Sequence, residues 1–478
     1  MSNLPTLPPV AELKSTPAKY RVHWFRSTYF QAVVLGATAF LCPGLWGALA
    51  NLGAGGLATP RTSNAANAAL FAIMSFTCLL GAPLVARVGP KWALSIGASC
   101  YSVYAAGLYC NSKYGAQWPL ILGAVLCGCS AGVFWSTEGA VALAYPEADR
   151  RAHRLSLWLI LNQFGSIVGG AINLSLNVKT ESSGSVGLNT YAVFVALQAL
   201  GPFVALLLSS PEKVQRLDGT KVVIASGLGF IEETKKVVKL WAQPRVLLLT
   251  VVFFQAQWAP AATGTYLASY FSVRARALSS LVTAFAAQGI FYLLGFFLDW
   301  QKFTLRSRAT GSGLFIFAWL TAGWIWLFIN QVHFENTSPK PSFDWVDAGW
   351  GKAWFAWLMW NLPSQLRYNW LFWIVSYMTS AGEDHIRYVG IMRSAESIAQ
   401  CISFGISATD IALHKSMAVN LGFLVASYYP AWHTVQYISG RDEEGLNRTV
   451  EVRAIESQEK RPHLALRGDS NSSSLKDA

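Results

Sequence analysis

The chain has 478 residues, of which 53% are hydrophobic and only 13% charged, and its formal net charge is +12. A soluble domain carries about 25% charged residues, so this composition excludes a water-soluble globule and makes lipid and neighbouring helices the medium of the core. The basic balance does not point to nucleic acid, because the lysines and arginines flank long apolar runs, where they set membrane orientation.

The first 28 residues are polar and contain Lys14, Lys19, Arg21 and Arg26. The apolar run after them is too long for a signal h-region and lacks a cleavage site, so the first helix is expected to insert as a signal-anchor. Twelve runs follow at 29–50, 65–86, 92–110, 118–144, 155–177, 189–208, 246–269, 278–298, 310–330, 353–378, 388–408 and 416–438. Each is close to the roughly 20 residues that an α-helix needs to cross a bilayer. Six precede and six follow a charged stretch, Ser209 to Arg245, which Pro211 and Pro244 interrupt and which carries Lys213, Arg216, Lys221, Lys235, Lys236 and Lys239. Its charge run reads as a solvated linker, with a short surface helix over Gly229 to Leu240. The pattern predicts an all-α integral membrane protein: a segment 1–28, a six-helix lobe 29–208, a loop 209–245, a second six-helix lobe 246–438 and a disordered tail 439–478.

With the N-terminus inside, 26 of the 37 lysines and arginines fall on inner segments and 7 on outer ones. Both termini are therefore expected in the cytosol; the sequence does not say of which membrane. The sequon at Asn336 falls in an outer loop and is a candidate for glycosylation, whereas those at Asn447 and Asn471 fall in the inner tail and that at Asn173 lies inside a span. The seven cysteines lie in or beside apolar runs, with no C-x-x-C and no metal-ligand spacing, and are expected to pack as small hydrophobes. No metal or cofactor is expected.

Two inner loops look like copies of each other. One is Pro83-Leu84-Val85-Ala86-Arg87-Val88-Gly89-Pro90-Lys91 and the other Gly295-Phe296-Phe297-Leu298-Asp299-Trp300-Gln301-Lys302. Laying Arg154 on Arg387 places Gln163 of the fifth span on Glu396 of the eleventh. Repeated halves with a midplane site between them are a common plan of secondary transporters. These loops resemble the signature loop of the major facilitator superfamily; Arg87, Gly89 and Lys91 survive in the first copy, with Ala86 in place of the acid, and Gly295 and Asp299 in the second. The resemblance implies an inner gate that the acid helps to latch, a part left to Asp299. The glycine-rich run Gly44 to Gly56, the loop Arg87 to Trp92 and the run Trp135-Ser136-Thr137-Glu138-Gly139 are similar to the uncoordinated-93-like branch. That branch includes presumed transporters, a channel-associated protein and a trafficking chaperone.

Ionisable groups inside a membrane are costly and mark function by default. Glu138 is a candidate proton carrier or polar substrate contact. Arg393 and Glu396 lie three apart and share a helix face, so they form a neutralising or coupling pair, with Gln163 opposite. In the tenth span, Asn361, Pro363 and Arg367 predict a broken helix lining a polar path. Trp350, Trp354, Trp357, Trp360, Trp370 and Trp373 read as an interfacial belt, with a site for a cation or an aromatic ligand as the alternative, and Gly165, Gly169 and Gly170 as a close helix contact. There is no phosphate-binding G-x-x-x-x-G-K-[ST] loop, no H-E-x-x-H and no other enzymatic motif. The expected activity is transport of a small solute, with or without protons; the alternative is a non-transporting regulator with a protein partner.

Overall fold

The computed structural model describes residues 22–147, 150–222, 230–298, 300, 302–378 and 382–440. The expected tail disorder, Asp299, and the sequons at Asn447 and Asn471 lie outside them. The described residues are helical throughout apart from turns and two isolated bridges. The helices are α1 (Thr28–Ala50), α2 (Pro60–Val88), α3 (Pro90–Ser99), α4 (Tyr101–Tyr114), α5 (Trp118–Ala144), α6 (Arg151–Asn177) and α7 (Leu188–Ala205), then α8 (Phe230–Trp241), α9 (Pro244–Ala256), α10 (Pro260–Tyr270), α11 (Val273–Leu298), α12 (Leu305–Glu335), α13 (Trp350–Ser376), α14 (Gly382–Ser407), α15 (Leu413–Ala426) and α16 (428–440). Among them, eight helical segments are long and apolar enough to cross a membrane: α1, α5, α7, α11 and α12, most of α2 and α6, and the α9–α10 pair.

Proline and glycine punctuate this order. Proline opens α2, α3, α9 and α10, where its missing N–H costs nothing. Gly89, at φ +81°, turns α2 into α3, and only glycine adopts that backbone freely. α1 passes through Pro43 by widening into a π-turn over Phe40–Gly44.

The broken helix is the seventh span, not the tenth. α13 runs unbroken through Pro363. The proline leaves the Met359 carbonyl without its helical donor, and Gly323 of α12 packs against it; a Cβ at Gly323 would lie 2.5 Å from that oxygen. The run 246–269 instead splits into α9 and α10 around residues 257–259, just before Pro260. Arg367 of α13 stabilises the break in the seventh run. Its guanidinium donates to the Ala256 carbonyl at 2.7 Å and to the Gln255 side chain, and so caps the free end of α9.

Buried hydrophobic side chains gather in two large clusters. One spans residues 34–222 with a few from 261–277 and Phe404, and the other spans residues 237–438. The halves meet where α14 lies on α2 and α11 on α6. Gly170 makes the second contact close, with Leu281 of α11 2.8 Å from where its Cβ would sit. Gly165 and Gly169 bring α6 against α1 in the same way. Asn173 donates to the Ala48 carbonyl and to Ser280, tying α6, α1 and α11 together.

The tryptophans of α13 are not an interfacial belt. Trp357, Trp360 and Trp370 are buried, and Trp354 donates to Ser279 of α11. α13 packs against α11, α12 and α14, so its indoles fill the core of the second cluster.

Part of the central stretch is also not a solvated linker. Gln215 bridges to Arg26, Ser209 donates to Gln31, and Val214 and Val222 join the first hydrophobic cluster. Arg216 donates to the carbonyls of Ala144 and Tyr145 at the end of α5, where a cation also meets the negative end of the helix dipole. Glu147 accepts from Thr28 and from the Leu217 backbone. Beyond it, α8 lies where the expected surface helix was placed, with Glu233 paired to Arg387 at 2.8 Å and Val237 buried.

Candidate functional site

A cavity of about 330 Å³ lies between the two halves. α1, α2 and α4–α6 contribute carboxamides and rings, including Asn64, Asn67, Asn162, Gln163, Trp46, Phe71, Tyr104 and Trp135. The second half contributes Gln257 from the break between α9 and α10, Gln365 and Tyr368 from α13, and Arg393, Glu396, Gln400 and Phe404 from α14. An adjoining space of about 120 Å³, lined by Asn361, Ser364 and Gln365, shares Gln257 and Tyr368 with it.

Among the described residues, the one arginine and the one carboxylate in the lining pair with each other: Arg393 Nη1 lies 3.2 Å from Glu396 Oε2. The Arg393 guanidinium also sits 4.0 Å from the Trp135 ring, 5.0 Å from Tyr368 and 5.4 Å from Phe372. Cation–π contacts of this kind contribute about 0.5–2 kcal/mol each as the site dries. Trp135 comes from the first half and the others from the second, so the cage joins the halves. Arg393 Nε and Glu396 Oε1 have no hydrogen-bond partner, which leaves one donor and one acceptor at the pair. The site is therefore polar, aromatic and electrically balanced.

The cavity is bounded differently at its two ends. Toward the end where α1 begins and the central stretch packs, Trp135 and Arg393 also line a space of only about 20 Å³, whose far wall includes Val237 of α8 and Arg387. At the opposite end, Arg276 of α11 is 0% exposed. It donates to the carbonyls of Leu52, Gly53 and Leu57 in the glycine-rich turn after α1 and to that of Gly184. Gly53, at φ +72°, fits tightly there; a Cβ on it would lie 2.6 Å from the Gly264 carbonyl of α10. Asn64 adds bonds to Thr265 and to the Ser407 carbonyl, both at 3.0 Å.

Next to this closure, Arg274 pairs with Asp344 and with Glu181. Arg274 and Ser272 hold the Asp344 carboxyl down at about 2, against about 3.9 when unfolded. A depressed folded value stabilises above the unfolded value and is lost as pH falls through the folded one. Asp344→Asn is therefore expected to lower the melting temperature at pH 7. Its deficit against the native chain should shrink between about pH 4 and pH 2, as thermal melts across that range would record.

The structure brings Gln163, Arg393 and Glu396 to one cavity and Asn361 to its extension. It places Glu138 and Arg367 outside the lining. Glu138 is buried between α5 and α6, where Trp158 Nε1 donates to it and Oε2 has no partner; Arg367 caps α9. Arg87 is exposed, Lys91 half-buried, and Gly295 faces open space on α11. Arg154 and Arg387, superposed in the repeat, have different partners: Arg154 lies over the Tyr29 ring and Arg387 pairs with Glu233. Asn336 is exposed at the end of α12. Sequence reasoning missed the Arg276 closure, the Trp135–Tyr368–Phe372 cage, and Gln257 and Gln400.

This fold is that of multi-pass transporters of the major facilitator superfamily. A D-xylose-proton symporter matches with a TM-score of 0.56 over 85% of this chain and 97% of its own, at 13% identity. A peptide transporter solved with sulfate matches at 0.58 over 86% and 94%, at 12% identity. The family model described as ion channel regulatory protein UNC-93 matches residues 59–259. A notoamide biosynthesis cluster protein O' of Aspergillus versicolor is 38% identical over 93% of this chain and 95% of its own. An UNC93-like protein of Schizosaccharomyces pombe is 28% identical over 81% and 78%, and UNC93-like protein 1 of Arabidopsis thaliana 25% over 87% and 91%. The chain belongs to the UNC-93-like family of membrane proteins.

Proposed function

We propose that this protein moves an uncharged small organic solute across a membrane by alternating access, with the solute held at the Arg393–Glu396 pair. The observation that carries this reading is a balanced polar and aromatic cavity between two halves that are tied together at the Arg276 end and leave only a narrow space at the other. The full architecture in this reading is twelve spans in two six-helix lobes, 29–208 and 246–438, with both termini cytosolic and Asn336 outside. The two hydrophobic clusters support it. The Aspergillus relative, named for a biosynthesis cluster, supports a small organic cargo.

Glu396 is the coupling carboxylate in this reading. When it takes a proton, the ring cage still holds Arg393 in place, so the site survives the change of charge. Glu138, three residues along α5 from Trp135 and bonded to Trp158, is the second candidate. The inner latch falls to Asp299, since Ala86 has no acid to offer.

A panel of sugars, amino acids, organic acids, amines and aromatic metabolites, screened by thermal stabilisation at two pH values, tests this function; a ligand that binds the native state raises its melting temperature. A pH-dependent hit that loses its pH dependence in Glu396→Gln, or in Glu138→Gln, is the expected result. The description of the matched family model supports a second reading, a non-transporting regulator of a channel. A stable protein partner after purification, with no hit in the panel, would favour it.

A further inference from the structure

We propose that a groove on the membrane-facing side of the second half, apart from the central cavity, binds a sterol: an uncharged lipid with a flat fused-ring body and a single hydroxyl. The groove measures about 340 Å³ and lies between α12, α13 and α16. Its floor is small, with Ala309, Gly313 and Ala431, and its walls are the rings of Phe317, Trp370 and Trp432. Among the described residues, no charged side chain lines it.

Two buried polar atoms in this lining have no partner, Trp370 Nε1 and Thr310 Oγ1. Trp370 is only 1% exposed. A Cβ on Gly313 would lie 3.2 Å from Trp370 Cζ2 and 3.7 Å from Cε2, the carbon bonded to Nε1, so a larger residue there would crowd this edge of the indole, and an occupant reaches Nε1 only as the indole shifts toward the space that the glycine leaves. Thr310 is one turn away on the same face of α12. The Tyr428 hydroxyl is already engaged with Thr321.

An unpaired N–H or O–H buried in an apolar setting costs about 1–3 kcal/mol, and a hydrocarbon tail offers no acceptor. An occupant must therefore bring an oxygen to this depth. A phosphate or ammonium head would meet no countercharge in the lining, so a charged phospholipid head does not fit. A rigid, flat body suits a slot with a small-residue floor and ring walls, and one hydroxyl can accept from Trp370 while it exchanges a hydrogen bond with Thr310. The exposed Leu314, Phe315, Tyr429 and Trp432 around the groove place its mouth among lipid chains. The inference is independent of whether the chain transports or regulates.

The test is photolabelling of the purified chain in phosphatidylcholine vesicles that contain a diazirine-bearing sterol, with adducts mapped by mass spectrometry. Adducts should concentrate on 309–318 and 428–435, and excess unlabelled sterol should displace them while diacylglycerol does not. The Trp370→Phe, Thr310→Val double variant should reduce labelling there at least fivefold. Ala318→Trp, which fills the groove from the exposed lipid side without touching the buried donors, should reduce it as well. Adducts spread evenly over the lipid-facing helices, equal competition by diacylglycerol, or unchanged labelling in both variants would overturn the assignment.

Discussion

Replacing Arg276 with glutamine is expected to open the end of the molecule that faces away from the central stretch. The guanidinium holds four backbone carbonyls, three in the glycine-rich turn after α1 and one at Gly184. A hydrogen bond to a charged group contributes about 1.5–3 kcal/mol. Glutamine can replace at most two of the four donors, so the turn loses several kcal/mol of attachment, enough to shift a two-state equilibrium by a hundredfold or more. Spin labels at Lys113→Cys and Lys415→Cys, exposed sites on the two halves at this end, should move apart in Arg276→Gln and stay at the native separation in Arg274→Gln. An unchanged distance in Arg276→Gln would mean that packing of α11 on α6, rather than this arginine, keeps the end shut.

Removing Arg393 is expected to have the largest effect on the central site. Arg393→Ala leaves Glu396, which is 2% exposed, as a buried carboxylate without its cation. Breaking a buried pair from one side costs about 3–5 kcal/mol. Ligand affinity should fall about 100-fold or more, the equivalent of about 3 kcal/mol. Arg393→Lys keeps the charge but not the planar stacking on Trp135, Tyr368 and Phe372, and should fall between the two. An Arg393→Gln, Glu396→Gln double variant should recover part of the loss, because no uncompensated charge remains. Equal loss in the alanine and double variants would show that the arginine acts on the solute directly and not through the pair.

An ionisable group where lipid or core is expected stands out in a sequence, and this marks Arg393 and Glu396 but equally Glu138 and Arg367, which lie outside the cavity lining; Gln163 follows only from laying one half of the repeat on the other. Arg276 did not stand out. It sits at the start of α11, outside the apolar run 278–298, where an arginine reads as an ordinary loop cation, and its partners are carbonyls that leave no mark in a sequence. The same blindness hid the strap formed by Gln215, Arg216 and Leu217, whose attachments are mainly to the backbone and to Glu147. Trp135 and Tyr368 carry no charge, and nothing in the sequence sets them apart from the many other rings in the apolar runs. Pro363 misled for a different reason. A proline removes a donor in any helix, but only the packed neighbour, here Gly323, decides whether the helix breaks.

Alternating access requires that the cavity be reached from one side of the membrane and then from the other. Ala287 lines the cavity from α11 and carries no polar group, so Ala287→Cys, in a chain whose native cysteines are replaced, places a thiol there with little disturbance. Membrane-impermeant thiol reagents would be applied to sealed vesicles from each side in turn. The account predicts that Arg276→Gln raises modification from the side of Lys113 and Lys415 and lowers it from the side of the central stretch. Modification from neither side in either background, or an equal rise from both, would contradict alternating access and leave the regulator as the better reading of this fold.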